Sequence, residues 1–252
     1  VSLGGAADDA SIWKPIIPAR EFNPLVDQVS QALRQPLDAL VRGRLKDDER
    51  RRLTEPARGL ALLIAAWAQS TAAEGEEARR HAAVRDAALR LERALNEGDA
   101  AAARKLLEEL PSSRGDAQTK TVPVPLSDAE GRPEVIRVSM FLTRPRDRGG
   151  LGLEGTLNGL ARSGNTRGTK PEETARIGYL VAALAQMNQS AAPLKKEGDK
   201  DPADWRRFTD EMREAGLELA RAAAANDSAG VRTAAARTNG SCLNCHRVFR
   251  DN

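Results

Sequence analysis

Apolar side chains recur at alternating four- and three-residue intervals through most of this chain. Leu53, Ala57, Leu60, Ile64 and Trp67 keep that rhythm, as do His81, Val84, Ala88, Leu91 and Leu95. Such spacing puts one stripe on one helix face, where a strand would alternate every second residue. The 4-3 alternation is also the seam of the shallow +20° packing that bundles use. Aromatics make up only 3% of the 252 residues, with alanine, leucine, arginine and glutamate dominant. That mixture suits helices packed closely over small side chains and argues against a β-sandwich.

Boundaries follow from the breakers. Residues 1–21 lack periodicity and read as an extended arm, with Trp13, Ile16 and Ile17 pinning it to the body. A first helix starts at Phe22 and carries Val26, Val29, Leu33 and Leu40, with Pro36 expected to kink or split it. Arg42-Gly43-Arg44, Glu74-Gly75 and Asn96–Asp99 separate four helices, the last capped by Asp99 and ending near Leu110-Pro111. Four amphipathic helices with short connections predict an antiparallel four-helix bundle over 22–116. Residues 117–148 change character. Thr121–Leu126, a turn at Ser127–Gly131 and the β-branched run Val135–Leu142 predict a β-hairpin, Pro123 and Pro125 confining its first strand to an edge. A polar connector then runs to residue 148.

The second half, 149–252, repeats the plan. Ala65-Ala66-Trp67-Ala68-Gln69 corresponds to Ala182-Ala183-Leu184-Ala185-Gln186, and Leu89–Ala94 before Asp99 corresponds to Leu217–Ala222 before Asp227. This is read as an internal duplication. Leu153, Leu157 and Leu160 start the first helix of the second copy. Thr169-x-x-Glu172 with Pro171 is a capping box for the next, whose stripe is Ile177, Leu180, Leu184 and Met187. Asp201-Pro202 opens the third, with Trp205, Phe208, Met212, Ala215 and Leu219. Asp227 caps a last helix with the stripe Val231, Ala235, Thr238, Cys242, Cys245, Phe249. The expected fold is therefore all-α, two antiparallel four-helix bundles in tandem with a β-hairpin between them.

Charge excludes some partners. A net charge of +3 and a pI near 9.1 arise from interspersed acids and bases. Arg50-Arg51-Arg52 and the Arg144, Arg146, Arg148 series read as solvated faces, so nucleic acid is not an expected partner. No apolar run nears the roughly 18 residues a membrane span needs, the longest being Leu60–Ala68. The chain begins at valine, and Val1–Ala7 reads as a mature terminus left by a removed signal peptide.

The only two cysteines, Cys242 and Cys245, stand three apart with His246 directly after. On a helix the three fall at i, i+3 and i+4, on one face. Cys-x-x-Cys-His is the attachment pattern of a c-type haem: two thiols reach the two vinyl groups, and the imidazole rises beneath the iron. A thioredoxin-like pair would sit near a βαβ pattern, and zinc would need two more ligands, whereas the only other histidine is His81. A plain disulfide leaves His246 unexplained. The motif predicts one covalent haem c and, because such attachment occurs outside the bacterial cytoplasm, a periplasmic or otherwise exported protein. The thiols lie on the core seam, which sets the haem between the last helix and the first helix of the second half.

The run Cys242-x-x-Cys245-His246-x-x-Phe249-Arg250, with its alanine-rich helix and the Asp-Pro helix start before it, resembles the cytochrome c′ family of class II c-type cytochromes over about 149–252. The first half resembles the same bundle with its haem lost, since Leu110–Gly115 holds no cysteine or histidine where the motif would fall. The resemblance implies thioether bonds at Cys242 and Cys245 and His246 as axial ligand. It also implies a sixth position facing the first helix of the copy, where Leu153 and Leu157 would pack and no methionine stands; Phe249 and Arg250 are further haem-packing candidates. Met140 is the alternative axial ligand, its other reading being a hairpin core residue. Met187 and Met212 read as core filler, and His81 as a satisfied core histidine.

Three functions fit: an electron-transfer cytochrome, a five-coordinate binder of a diatomic gas, or the haem-bearing subunit of a larger electron-transfer complex. The partners expected are a redox protein or complex, or nitric oxide or carbon monoxide, with a homodimer through the first helix possible in such a family. Enzymatic activity is not expected. The distal stripe offers no acid–base group for a peroxidase, and hydrolase motifs are absent.

Overall fold

The computed structural model describes residues 12–110, 115, 117–126, 132–146, 150–164 and 170–250. Among these the protein is all-helical, with nine α-helices and no strand; the only β-pairings are isolated bridges, Ile17 with Thr71 and Glu197 with Lys200. The helices are α1 (Phe22–Arg42), α2 (Asp47–Ser70), α3 (Gly75–Asn96), α4 (Ala100–Glu109), α5 (Arg132–Thr143), α6 (Leu153–Ser163), α7 (Pro171–Ser190), α8 (Pro202–Ala224) and α9 (Ser228–Phe249). The chain divides into two compact units. One takes in Val1–Asp128 and Arg137–Leu142, the other Ala129–Ile136 and Thr143–Asn252.

In the first unit α1 packs on α2, α2 on α3, α3 on α4, and α4 returns to α1. The stripes read from the sequence are the buried faces: Val26, Val29, Leu33 and Leu40 on α1, Leu60, Ile64 and Trp67 on α2, Val84, Ala88 and Leu91 on α3. Burying each such side chain is worth about 1.5–3 kcal/mol, which is what makes the stripe decisive. Pro36 does not split α1, which runs unbroken to Arg42. The ring removes one backbone donor, but Leu33, Leu37 and Leu40 are buried on either side of it and hold the turns together. The arm is pinned as expected by Trp13 and Ile17, both buried, and the Ile17 backbone bonds to Ser70 and Ala72. Asp99 caps α4 by accepting the Ala102 N–H at 2.9 Å.

The hairpin is corrected. Val135–Leu142 lies within helix α5, because Val135, Val138, Ser139 and Leu142 bury one face at i, i+3, i+4 and i+7. The β-branched residues carried a strand propensity that this packing overrides. Thr121–Leu126 is irregular and has no strand partner among the described residues. Pro123 and Pro125 lack N–H groups for a ladder, and side chains take the backbone instead: Arg85 donates to the carbonyls of Val122 (2.7 Å) and Lys120 (2.9 Å), and Gln69 Oε1 accepts the Val124 N–H. The predicted turn at 127–131 lies outside the described residues, as does most of the Leu110–Gly115 stretch.

In the second unit α7 packs on α8, α8 on α9, and α9 on α6. Its core includes Leu157, Leu160, Val181, Leu219, Ala220 and Val231. Asp201 caps α8 through the Ala203 N–H, with Pro202 as first helical residue, and Asp227 caps α9 through Ala229 and Gly230. The expected capping box at α7 is corrected. The residue before the helix is Lys170, with no side-chain cap, and Pro171 starts the helix through its fixed φ; Thr169 lies outside the described residues.

Candidate functional site

Helix α9 carries the motif at its C-terminal end. Its inward stripe is buried through Val231, Ala234, Ala235, Thr238 and Ser241. The two hydroxyls in that stripe satisfy themselves locally, Thr238 donating to the Ala234 carbonyl and Ser241 to that of Thr238. Beyond Ser241 the stripe opens. Cys242 and Cys245 are half-buried and unpaired thiols, and His246 is exposed one helical turn from Cys242. The motif residues thus lie where the core ends and the surface begins.

Helix α6 runs along the same side. Asn239 of α9 donates to Asn158 of α6 at 3.0 Å, and Gly164 at the end of α6 abuts the first turn of α9. Gly164 has φ +60°, and a Cβ there would lie 2.3 Å from the Ser228 carbonyl, so both its backbone and its contact require glycine. The register is antiparallel and brings the start of α6 to the motif, with Glu154 acting electrostatically on Cys242. Leu153 and Leu157, the expected packing residues, are buried there. Gly155 and Gly159 of α6 have open space where a side chain would be.

The far end of α9 is anchored by aromatics. Phe249 meets Trp205 edge-on with centroids 5.0 Å apart and Phe208 at 6.5 Å. The Trp205 indole N–H donates to the Asn188 carbonyl at 2.8 Å, tying α8 to the end of α7. Arg250, the residue that ends the helix, is exposed, and its N–H donates to the His246 carbonyl. Phe249, a haem-packing candidate in the sequence, thus packs against α8 through Trp205 and Phe208. Asn158, Asn239, Glu154 and Asn188 carried no sequence signal, since their meaning comes from a register that one sequence does not encode.

The thiol chemistry separates rival readings. Burial pushes the Cys242 thiol up, with Glu154 adding to the effect and the Ser241 hydroxyl opposing it. Burial, then the neighbouring Cys242, pushes the Cys245 thiol up to about 11. A redox-active Cys-x-x-Cys needs the opposite shift, toward a stabilised thiolate. Among the described residues no three His, Cys, Asp or Glu side chains converge as ligands of a bare metal ion. The pair resembles neither a thioredoxin-type couple nor a zinc site.

Met140 stands on helix α5 rather than on a strand, within Arg137–Leu142 of the first unit, while the motif belongs to the second. His81 is a core residue as expected, stacked on Phe22 at 3.7 Å, but it is not fully satisfied: its buried Nδ1 has no hydrogen-bond partner among the described residues.

Helix α9 with its half-buried thiols and adjoining imidazole defines the kind of segment that c-type cytochromes use. A family model described as Cytochrome C′ matches residues 179–250, which run from within α7 to the end of the motif. The resemblance read from the closing motif thus holds in the second half of the chain. No curated protein and no solved structure matches the chain.

Proposed function

We propose that the second unit holds one haem c and serves electron transfer in an exported compartment. The observation that carries this is the placement of Cys242, Cys245 and His246 on one helical turn where the core stripe of α9 opens toward α6. The donor set fits the group: two free, protonated thiols at the spacing of two vinyl groups, and an imidazole next in sequence. When bound, a haem supplies a one-electron ferric–ferrous couple. Cys242 and Cys245 would hold it by thioethers, and His246 would ligate its iron. Leu153 and Leu157 exclude water from the side facing α6, and Phe249 against Trp205 fixes the helix end that carries the imidazole. The chain has no enzymatic role in this reading.

A second reading is favoured by α6 itself. Between Leu153 and Ser163 it offers no methionine, histidine or lysine. An open sixth position would bind a diatomic gas. The first unit, on the duplication reading, is a haem-free copy that docks the chain into a larger complex; a homodimer through α6 is the alternative.

The test is the haem-loaded chain. A haem that survives denaturing electrophoresis, and that Cys242→Ala leaves held by a single thioether, is expected. Full covalent retention in a Cys242→Ala, Cys245→Ala double variant would overturn the assignment. Ferrous spectra with added carbon monoxide then divide the readings, rapid binding supporting the gas ligand and its absence the six-coordinate carrier.

A further inference from the structure

The outward face of α9 is the surface that the haem reading does not use. Ala236, Gly240, Leu243 and Arg247 follow at i, i+4, i+7 and i+11, opposite the buried stripe of Val231, Ala235 and Thr238. Leu243, the residue between the two cysteines of the motif on its outer side, is 65% exposed, among the most exposed large apolar side chains described. Gly240 has nothing within 4 Å of where a side chain would begin. The strip is thus smooth, apolar at its centre and open.

Its charge is one-sided. From Ser228 to Phe249 the helix contains Arg232, Arg237 and Arg247 and no carboxylate. Arg237 is neutralised by Glu218 of α8. Arg232 and Arg247 are exposed, and among the described residues neither has an ion-pair partner. Arg207 of α8, also exposed, is instead paired with both Asp204 and Glu211. The nearest acid on α6, Glu154, lies on the Cys242 side rather than on this face.

We propose that this face, centred on Leu243 and bordered by Arg232 and Arg247, is the docking surface for an acidic redox-partner protein. The inference rests on the electron-transfer reading and names the partner's chemistry. An exposed apolar centre supplies the desolvated contact, and unpaired rim cations steer an acidic partner and set the rate of encounter. Leu243 lies between the two attachment residues, so a partner seated there meets the helix turn that holds the haem.

The haem-loaded full chain is reduced by flavodoxin hydroquinone, an acidic one-electron donor, at several salt concentrations. The expected rate falls as salt rises. Arg247→Glu and Arg232→Glu each slow it roughly tenfold at low salt and flatten the salt dependence, and Leu243→Ser slows it at all salt concentrations. Reduction by the cation hexaammineruthenium(II) serves as control, unchanged or faster in the charge-reversed variants, whose haem content and spectra match the parent. A loaded chain whose flavodoxin rate ignores all three substitutions overturns the docking surface and leaves the haem reading standing. A chain that takes up no covalent haem overturns the reading beneath it.

Discussion

Gly178 and Gly216 face one another across the α7–α8 crossing with no room for a methyl group on either. A Cβ on Gly178 would lie 2.4 Å from the Gly216 carbonyl oxygen, and one on Gly216 would lie 2.7 Å from that of Gly178. Both obstacles are backbone, so no rotamer change relieves the clash. Gly178→Ala is expected to cost about 1–3 kcal/mol as an overpacking substitution. Gly155→Ala, on an exposed part of α6 with nothing nearby, should instead gain about 0.5–1 kcal/mol from helix propensity. Urea titration of the two variants measures both, and equal effects would refute the close crossing.

Trp205 has two jobs that a single substitution separates. Its ring packs on Phe249, and its N–H satisfies the buried Asn188 carbonyl. Trp205→Phe keeps most of the edge contact but removes that donor, leaving the Asn188 carbonyl only the Ala191 N–H at 3.1 Å, at a cost of about 0.5–1.5 kcal/mol. Phe249→Ala keeps the hydrogen bond and loosens the end of α9. The first variant should lower overall stability with the last turn still protected from hydrogen exchange. The second should expose amides near His246 first. Identical exchange patterns would sink this division of labour.

Much of this was legible because helix stripes are local. Leu60, Ile64 and Trp67 declare their buried face by spacing alone, and Asp99, Asp201 and Asp227 announce helix starts by a bond to a neighbour two or three residues away. The motif Cys242, Cys245, His246 was legible for the same reason. What failed was non-local. Val135–Leu142 has a β-branched composition, and only the burial of Val135, Val138 and Leu142 makes it a helix. Pro36 lies in α1 because flanking leucines outweigh one lost bond. Asn158 facing Asn239, and Glu154 facing Cys242, depend on a register between helices about eighty residues apart in sequence.

Arg85 explains where the expected strand went. Its guanidinium is buried, and it holds Lys120 and Val122 by their carbonyls while pairing with Asp86. The planar fork suits two parallel acceptors, which a lysine ammonium does not match. Arg85→Lys is expected to release the segment 117–126 without unfolding the helices. Limited proteolysis should cut there several-fold faster in the variant, with circular dichroism unchanged. If the cleavage rate stays at that of the parent, the strap is held by something other than this fork.

His81 gives the first unit its own pH response. The imidazole is 3% exposed and stacked on Phe22, with Arg80 adjacent in sequence and Glu77 4.0 Å from Nε2. Burial, with Arg80 adding to it, lowers its pKa from 6.5 to about 4. The folded state therefore prefers the neutral ring, and the unfolded chain binds the extra proton between those values. The contribution to stability is complete above about pH 6.5 and is lost as pH falls toward 4, beyond which the loss levels off. At about 1.4 kcal/mol per pKa unit the loss amounts to roughly 3 kcal/mol. His81→Leu removes the titrating group while keeping an apolar side chain against Phe22. The stability difference between parent and variant, followed from pH 7 to 4 by denaturant titration, should shift toward the variant by that amount, because carboxylates elsewhere titrate equally in both. A difference that stays flat across the window would mean that His81 is solvated when charged and that the stack on Phe22 opens without cost.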